Sequence, residues 1–171
     1  TEAIQYRIDH AGLHRKVGRN QTKAIRIILT GTHEQMIKLQ REGKLDQWSK
    51  ANLSWLKETF GEENLVSCVL HMDEKTPHLH ATIIPIVTTE RKRKEREGEK
   101  KYVTKNGPRL SADDVMARGK LFHYQNTYAV AMNPFGLQRG VVGSTARHKT
   151  NGQYYREQML KYEDDIERLQ A

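Results

Sequence analysis

Two apolar runs separated by a short polar segment constrain the fold of this chain more than any other stretch. The first run, residues 65–70, reads LVSCVL, and the second, residues 79–87, reads LHATIIPIV. Both have the length and β-branched content typical of buried strands. The intervening residues 72–77 hold two carboxylates and a proline, which suit a reversal of the chain. The sequence therefore predicts an antiparallel hairpin.

Three histidines lie where these two strands meet the turn. His71 ends the first strand, and His78 and His80 flank one leucine at the start of the second. Alternate residues of a strand point to the same face, so His78 and His80 share a face, and antiparallel pairing brings His71 towards them. Three neutral imidazoles form a good divalent-cation site and leave coordination positions open.

A hairpin whose histidines only hydrogen-bond to the backbone is the simpler alternative. It explains poorly why three titratable rings lie at the edge of such apolar strands, because buried polar groups need partners. The adjacent acidic pair, Asp73 and Glu74, also favours a metal site. Imidazole suits zinc, nickel, copper and iron, so the residues alone leave the ion open.

The charge balance predicts a polyanionic partner. Lys and Arg number 29 against 21 Asp and Glu, a formal net charge of +8, which favours nucleic acid or an anionic membrane surface. Residues 91–109 hold nine basic and three acidic side chains, a pattern typical of a solvated loop. Because this segment follows the histidine strand, we expect it to contact phosphates at the mouth of the site. The candidates are Arg91, Lys92, Arg93 and Lys94.

The remaining pattern predicts an α+β fold, an antiparallel central sheet with helices packed on one of its faces. Val66, Cys68 and Leu70 make the face opposite His71 apolar enough to lie under helices. Besides the hairpin, we expect helices over residues 1–13, 32–43, 46–60 and 111–132, a strand over 24–29 and a short final strand over 135–142.

A charged helix is predicted from residue 153 onwards. Its apolar residues are spaced 4-3-4-3, which forms a heptad seam: Tyr155, Met159, Tyr162, Ile166 and Leu169. We therefore divide the chain into a domain over 1–150 and a C-terminal extended helix over 151–171. This helix begins a linker or oligomerisation region and offers a homodimer contact.

Neither export nor membrane insertion is predicted. No stretch approaches the 18 apolar residues of a membrane span, and no signal peptide opens the chain. Cys68 is the only cysteine, so it cannot form an internal disulfide and is best explained as a reduced thiol of a cytoplasmic protein.

The segment HMDEKTPHLH, residues 71–80, resembles the motif of the MobV (Mob/Pre) group of plasmid and transposon mobilisation relaxases. These belong to the HUH endonucleases, whose signature is two histidines flanking one hydrophobic residue. The resemblance continues through the strand that follows and, more loosely, into GLQRGVVGSTARHKT over residues 136–150. It implies an HUH relaxase-like sandwich.

The resemblance implies a bacterial, metal-dependent enzyme of conjugative mobilisation. Relaxases nick and rejoin one strand at an origin of transfer by transesterification, joining a protein nucleophile to the 5′ phosphate. It implies single-stranded or hairpin origin DNA as substrate and a coupling protein as partner of the full-length protein. It favours Mn2+ or Mg2+ as the ion, and Zn2+ or Ni2+ stays an alternative. It places the catalytic acidic residue at Glu74 and DNA contacts at Arg147, His148 and Lys149. From its position beside the site, Asp73 is the alternative for the catalytic role or a residue that orients a ligand histidine.

The nucleophile departs from the family pattern. The family's His-x-x-Arg motif is absent before the first strand, because neither His10 nor His14 is followed by Arg at that spacing. Since the chain starts at Thr1 rather than at Met, we expect it to lack the N-terminal segment that carries the nucleophile. On this interpretation it binds metal and DNA but nicks poorly or not at all, and the nucleophile stays unknown.

Two other functions stay open. One is a non-catalytic DNA-binding module with a structural metal, but a structural zinc site needs a fourth ligand, and Cys68 faces the opposite side of the strand. The other is a replication initiator or transposase of the same nuclease class, which the sequence disfavours because no tyrosine follows His80 in a recognisable helical motif.

Overall fold

The computed structural model describes residues 2–88, 107–144 and 150–170. Two compact units divide the chain, Thr1–Arg139 and Gly140–Ala171. The α-helices are α1 (Glu2–Asp9), α2 (His33–Arg41), α3 (Leu45–Phe60), α4 (Ala112–Val115), α5 (Arg118–Met132) and α6 (Asn151–Gln170). The strands are β1 (Ile25–Leu29), β2 (Leu65–His71), β3 (His78–Ile83), β4 (Ile86–Val87) and β5 (Arg109–Leu110).

The predicted hairpin forms the centre of the first unit. β3 lies between β1 and β2 and pairs antiparallel with both. His71 lies opposite His78, and His80 lies opposite Val69 of β2 and Ile28 of β1. Residues that are paired across two strands lie on the same face of the sheet, so His71, His78 and His80 share one face. β1 and β2 lie on either side of the two histidines of β3.

Helices cover the other face of this sheet, as the sequence predicts. Leu79 and Ala81 of β3 are buried in one core cluster with side chains from β1, α2, α3 and α5. The further members of that cluster are Leu29, Met36, Leu39, Trp48, Trp55, Leu56, Met132 and Leu137. The α+β class is therefore confirmed, with the histidines on the face turned away from these helices.

The prediction of one continuous strand over residues 78–87 is wrong. β3 ends at Ile83, and β4 pairs instead with β5 in a second, two-stranded sheet. Pro85 lies between them and has no backbone N–H, so it cannot continue a central ladder. The small sheet packs against α1, with Ile8, Ile84, Ile86 and Leu110 buried together.

Two other predicted elements differ from the structure. The helix expected over 111–132 is divided into α4 and α5, because Ala117 adopts an extended conformation (φ −56, ψ 135) that interrupts the helical ladder. The strand expected over 135–142 is absent. Asn133–Phe135 form a 3-10 turn, and Gly136 follows with a φ of +75, outside the β region.

The predicted C-terminal helix is present as α6, and its apolar seam is exposed. None of the helices in the described ranges is long and apolar enough to span a bilayer. The domain boundary at residue 150 stays a prediction.

A buried polar contact joins α3 to α5. Asn52 is fully buried, and its Nδ2 donates to the Trp48 carbonyl at 2.7 Å while its Oδ1 accepts from the Tyr128 hydroxyl at 2.9 Å. Burial also raises the pKa of Tyr128, so the phenol stays a donor. The pair satisfies two groups that would otherwise be buried without partners.

We expect Asn52→Ala to lower the free energy of unfolding by about 2 kcal/mol, because it leaves the Tyr128 hydroxyl unpaired and opens a small cavity. Urea denaturation followed by far-UV circular dichroism measures the change. Gln125→Ala, at an exposed position of α5, is the control and should stay within about 0.5 kcal/mol of the wild type. Equal midpoints for the two variants would contradict the prediction.

Candidate metal centre

The register of β2 and β3 brings three imidazoles together. The ring centroids of His71 and His78 lie 5.3 Å apart, those of His71 and His80 4.4 Å, and those of His78 and His80 4.9 Å. One ring nitrogen from each histidine lies within 4.8 Å of the others. The sequence-predicted cluster is therefore present in the structure.

The donor set fits a divalent cation. Nitrogen ligands about 2 Å from one ion lie at most about 4 Å apart, so small rotations of the side chains are enough to close the group. Among the described residues, the cluster has three members. Three imidazoles with an open side are typical of a site that also binds a substrate or water, rather than of a closed structural site.

Cys68 does not supply a fourth ligand. Its side chain packs against the core cluster on the helix-covered face, and burial raises the pKa of its thiol. A thiol must lose its proton to bind zinc, so both its position and its environment argue against a closed four-ligand site.

The hydrogen bond of His78 defines which of its nitrogens is available. His78 is 8% exposed, and its Nδ1 lies 2.9 Å from the Thr76 carbonyl oxygen. A carbonyl only accepts, so Nδ1 carries the hydrogen and Nε2 keeps its lone pair for an ion. Metal-bound histidines commonly have such a partner on the second nitrogen.

The two acidic residues of the turn differ in their relation to the cluster. Asp73 Oδ1 lies 3.6 Å from His71 Nδ1, close enough for electrostatic attraction but not for a hydrogen bond. Glu74 is exposed and lies outside the group of ligand atoms. Their catalytic or positioning roles stay predictions.

The predicted DNA-contacting residues lie outside the described residues. They are Arg91, Lys92, Arg93 and Lys94 of the basic segment, and Arg147, His148 and Lys149 before α6.

The histidine face of the sheet is open among the described residues. Ile28 and Val69, which flank His80, are 62% and 53% exposed. Further along the strands, Arg26 and Ser67 are exposed on either side of Thr82. An extended ligand can therefore reach the cluster from this face.

Sequence reasoning missed two residues that contact the turn before β3. Thr30 and His33, from the connection between β1 and α2, hydrogen-bond to the turn at Pro77 and Thr76 respectively. The partners are 47 and 43 positions apart in the chain. No local pattern marks such contacts, and covariation among many related sequences is the signal that would find them.

The central strand of this antiparallel sheet carries a His-x-His pair beside a third histidine, which is the arrangement expected from the resemblance to the HUH class of nucleases. The chain belongs to the plasmid recombination enzyme (Mob/Pre) family, whose family model matches residues 1–156. The resemblance drawn from HMDEKTPHLH is thereby confirmed.

Individual relatives agree with this assignment. A 65 kDa protein of Zymomonas mobilis is 35% identical over 138 residues, which cover 80% of this chain and 20% of that protein. A plasmid recombination enzyme of Bacillus thuringiensis is 25% identical over 151 residues, 87% of this chain and 29% of that protein. The chain therefore spans less than a third of the length of these relatives.

Solved structures show the same fold. A Mn-bound crystal structure of the MobM relaxase domain (MOBV; Mob_Pre) with 23-nucleotide plasmid pMV158 oriT DNA superposes with a TM-score of 0.68. The two chains are 23% identical, and the match covers 92% of this chain and 73% of that one. At this identity the likeness establishes the architecture.

Loss of a residue that only hydrogen-bonds to a metal ligand weakens metal binding by roughly 10- to 100-fold. His80→Ala removes one of three ligands, so we expect it to weaken Mn2+ binding by more than this. Electron paramagnetic resonance of free Mn2+ during a protein titration measures the affinity. His123→Ala, an exposed histidine on α5, is the matched control and should bind like the wild type. Unchanged binding by His80→Ala would refute the ligand assignment.

Proposed function

We propose that this chain is part of a DNA relaxase that nicks and rejoins one strand at an origin of transfer. The observation that carries the proposal is the three-histidine cluster on the open face of a Mob/Pre-type sheet. It is supported by the solved relative, whose MobM relaxase domain holds manganese and origin DNA. We place this activity in the bacterial cytoplasm, with a coupling protein as partner of the full-length enzyme.

The proposed substrate is single-stranded or extruded hairpin DNA. The formal net charge of +8 favours binding to phosphates. His78 is buried, so a phosphate needs a backbone that is free to bend towards the cluster. We assign further phosphate contacts to Arg91, Lys92, Arg93 and Lys94, and to Arg147, His148 and Lys149.

In this proposal His71, His78 and His80 hold the divalent cation, Mn2+ or Mg2+. Such a cation, when bound, acts as a Lewis acid that stabilises charge developing on the non-bridging oxygens of a phosphodiester. The chain's own contribution is to place the hydrogen of the neutral His78 ring on Nδ1, which leaves the lone pair on Nε2, and to hold the three rings on one face of the sheet.

The acidic residues are assigned different roles. Glu74 orients or deprotonates the nucleophile, because its carboxylate lies in the turn that joins the ligand strands. Asp73 positions His71, and its Oδ1 at 3.6 Å from Nδ1 supports this assignment. We assign no nucleophile, since no His-x-x-Arg sequence occurs before β1.

We expect the full-length protein to relax supercoiled plasmid that carries its origin in the presence of Mn2+ and not in the presence of a chelator. Gel electrophoresis of the plasmid forms measures the reaction. His80→Ala should abolish relaxation, and Glu74→Gln should slow it by about 10²- to 10⁴-fold, the usual contribution of a general base.

His123→Ala is the control for this experiment and should relax the plasmid at the wild-type rate, because its side chain is exposed on α5. Wild-type relaxation by His80→Ala would overturn the proposal. Cutting of plasmids regardless of origin would instead indicate a non-specific nuclease.

For α6 we propose antiparallel pairing with a second copy of the chain. All five seam residues are more than half exposed. When two copies pair antiparallel, Met159 lies opposite Tyr162 and Tyr155 opposite Ile166 of the second copy, and Arg156 comes near Glu163. Parallel pairing would instead place Glu163 near Gln158 of the second copy, without this ion pair.

We expect the wild-type chain to dimerise only at high protein concentration, since a seam of about two heptads is short, and Ile166→Asp to be monomeric. Sedimentation equilibrium measures the mass. Leu160→Asp, an exposed apolar position off the seam, is the matched control and should leave the dimer intact. A monomeric wild type, or equal effects of the two variants, would exclude this interface.

A further inference from the structure

The turn that carries the acidic pair is tied to a part of the fold outside the hairpin. The Thr30 hydroxyl donates to the Pro77 carbonyl at 3.0 Å, and His33 Nδ1 lies 2.9 Å from Thr76 Oγ1 in a second hydrogen bond. Thr30 directly follows β1, and His33 is the first residue of α2. The β1–α2 connection therefore holds the end of the turn from which β3 starts.

Thr76 links this connection to the metal cluster. Its side chain bonds to His33, and its main-chain carbonyl accepts the hydrogen of His78 Nδ1 at 2.9 Å. Pro77, the next residue, is among the most completely buried side chains of the protein. The proline ring fixes the φ angle of Pro77. The Thr76 carbonyl is therefore held both by the burial of Pro77 and by the hydrogen bond between the Thr76 side chain and His33.

The β1–α2 connection is itself well fixed. A Cβ at Gly31 would lie 2.3 Å from Leu137 Cδ2, so the chain there is closely packed. Thr32 caps α2, and its side chain accepts from the Gln35 backbone N–H. The first turn of α2, which presents His33 to the turn, is thus held by its own cap.

We propose that Thr30, His33 and Thr76 are positioning residues that keep His78 oriented with Nε2 towards the cation. This inference rests on the metal role proposed for His78. Without the two long-range hydrogen bonds the exposed turn would move more freely, and His78 would lose the fixed acceptor that selects its tautomer. Loss of such outer partners commonly weakens metal binding by about 10- to 100-fold.

The proposal can be separated from a general effect on stability. Thr30 and His33 are exposed, and the loss of one such hydrogen bond lowers the free energy of unfolding by about 1 kcal/mol, which is too little to unfold a domain. Their variants should therefore fold as the wild type does, while the tautomer and the affinity of the neighbouring site change.

The experiment uses the chain with Thr30→Val and His33→Ala, singly and together, and Thr30→Ser as the conservative variant. We expect the Mn2+ affinity, measured by electron paramagnetic resonance, to be about tenfold lower in the double variant than in the wild type. Thr30→Ser keeps the hydroxyl and should have the wild-type affinity. Circular dichroism should show an unchanged fold, and His123→Ala should bind like the wild type.

Nitrogen-15 NMR of the neutral histidine rings provides the second measurement. His78 should be a single tautomer with hydrogen on Nδ1 in the wild type and a mixture of tautomers in the double variant. Wild-type affinity together with a single tautomer in the double variant would overturn the inference. If the wild type binds no Mn2+, the proposed metal function fails, whereas the NMR spectra still decide whether these residues position His78.

Discussion

The pairing of β2 with β3 is the constraint on which the candidate site depends. In the observed register His71 lies opposite His78, while Leu70 lies opposite Leu79. Because side chains alternate along a strand, a slip of one residue would turn the histidines into the core and expose the leucines. Burial of Leu79 and Ala81 against the helices therefore fixes the site from the other face of the sheet. The register of β2 and β3 therefore produces both the apolar core and the candidate metal centre.

Placing the helices on one face has a consequence for ligand access. On the histidine face, Ile28 of β1 and Val69 of β2 are exposed on either side of His80. Two exposed apolar side chains are normal on a protein surface. In the proposed function, a strand of DNA would supply both the phosphates that match the basic chain and the bases that cover these side chains.

The sequence was most informative where structure is local. The hairpin, the start of α2 at the Thr32 cap and the three-histidine cluster all follow from alternation, capping and spacing over a few residues. The errors have local causes as well: Pro85 ends a strand that hydropathy alone would continue, and Gly136 adopts a conformation that a strand does not allow. Contacts across more than forty residues, such as that between His33 and Thr76, left no trace in one sequence.

These distant contacts matter because a His-x-His pair alone does not specify a tautomer. An imidazole can present either nitrogen to an ion, and the two choices differ in where the ion would lie relative to the strand. At His78 the choice is made by the Thr76 carbonyl, whose position depends on Pro77 packing and on two side chains from the β1–α2 connection. The candidate ligands thus come from the hairpin, whereas the orientation of His78 depends on a separate segment. In the proposed function, a fold that assembles both is what would turn a common histidine pattern into a site that binds a cation in one geometry.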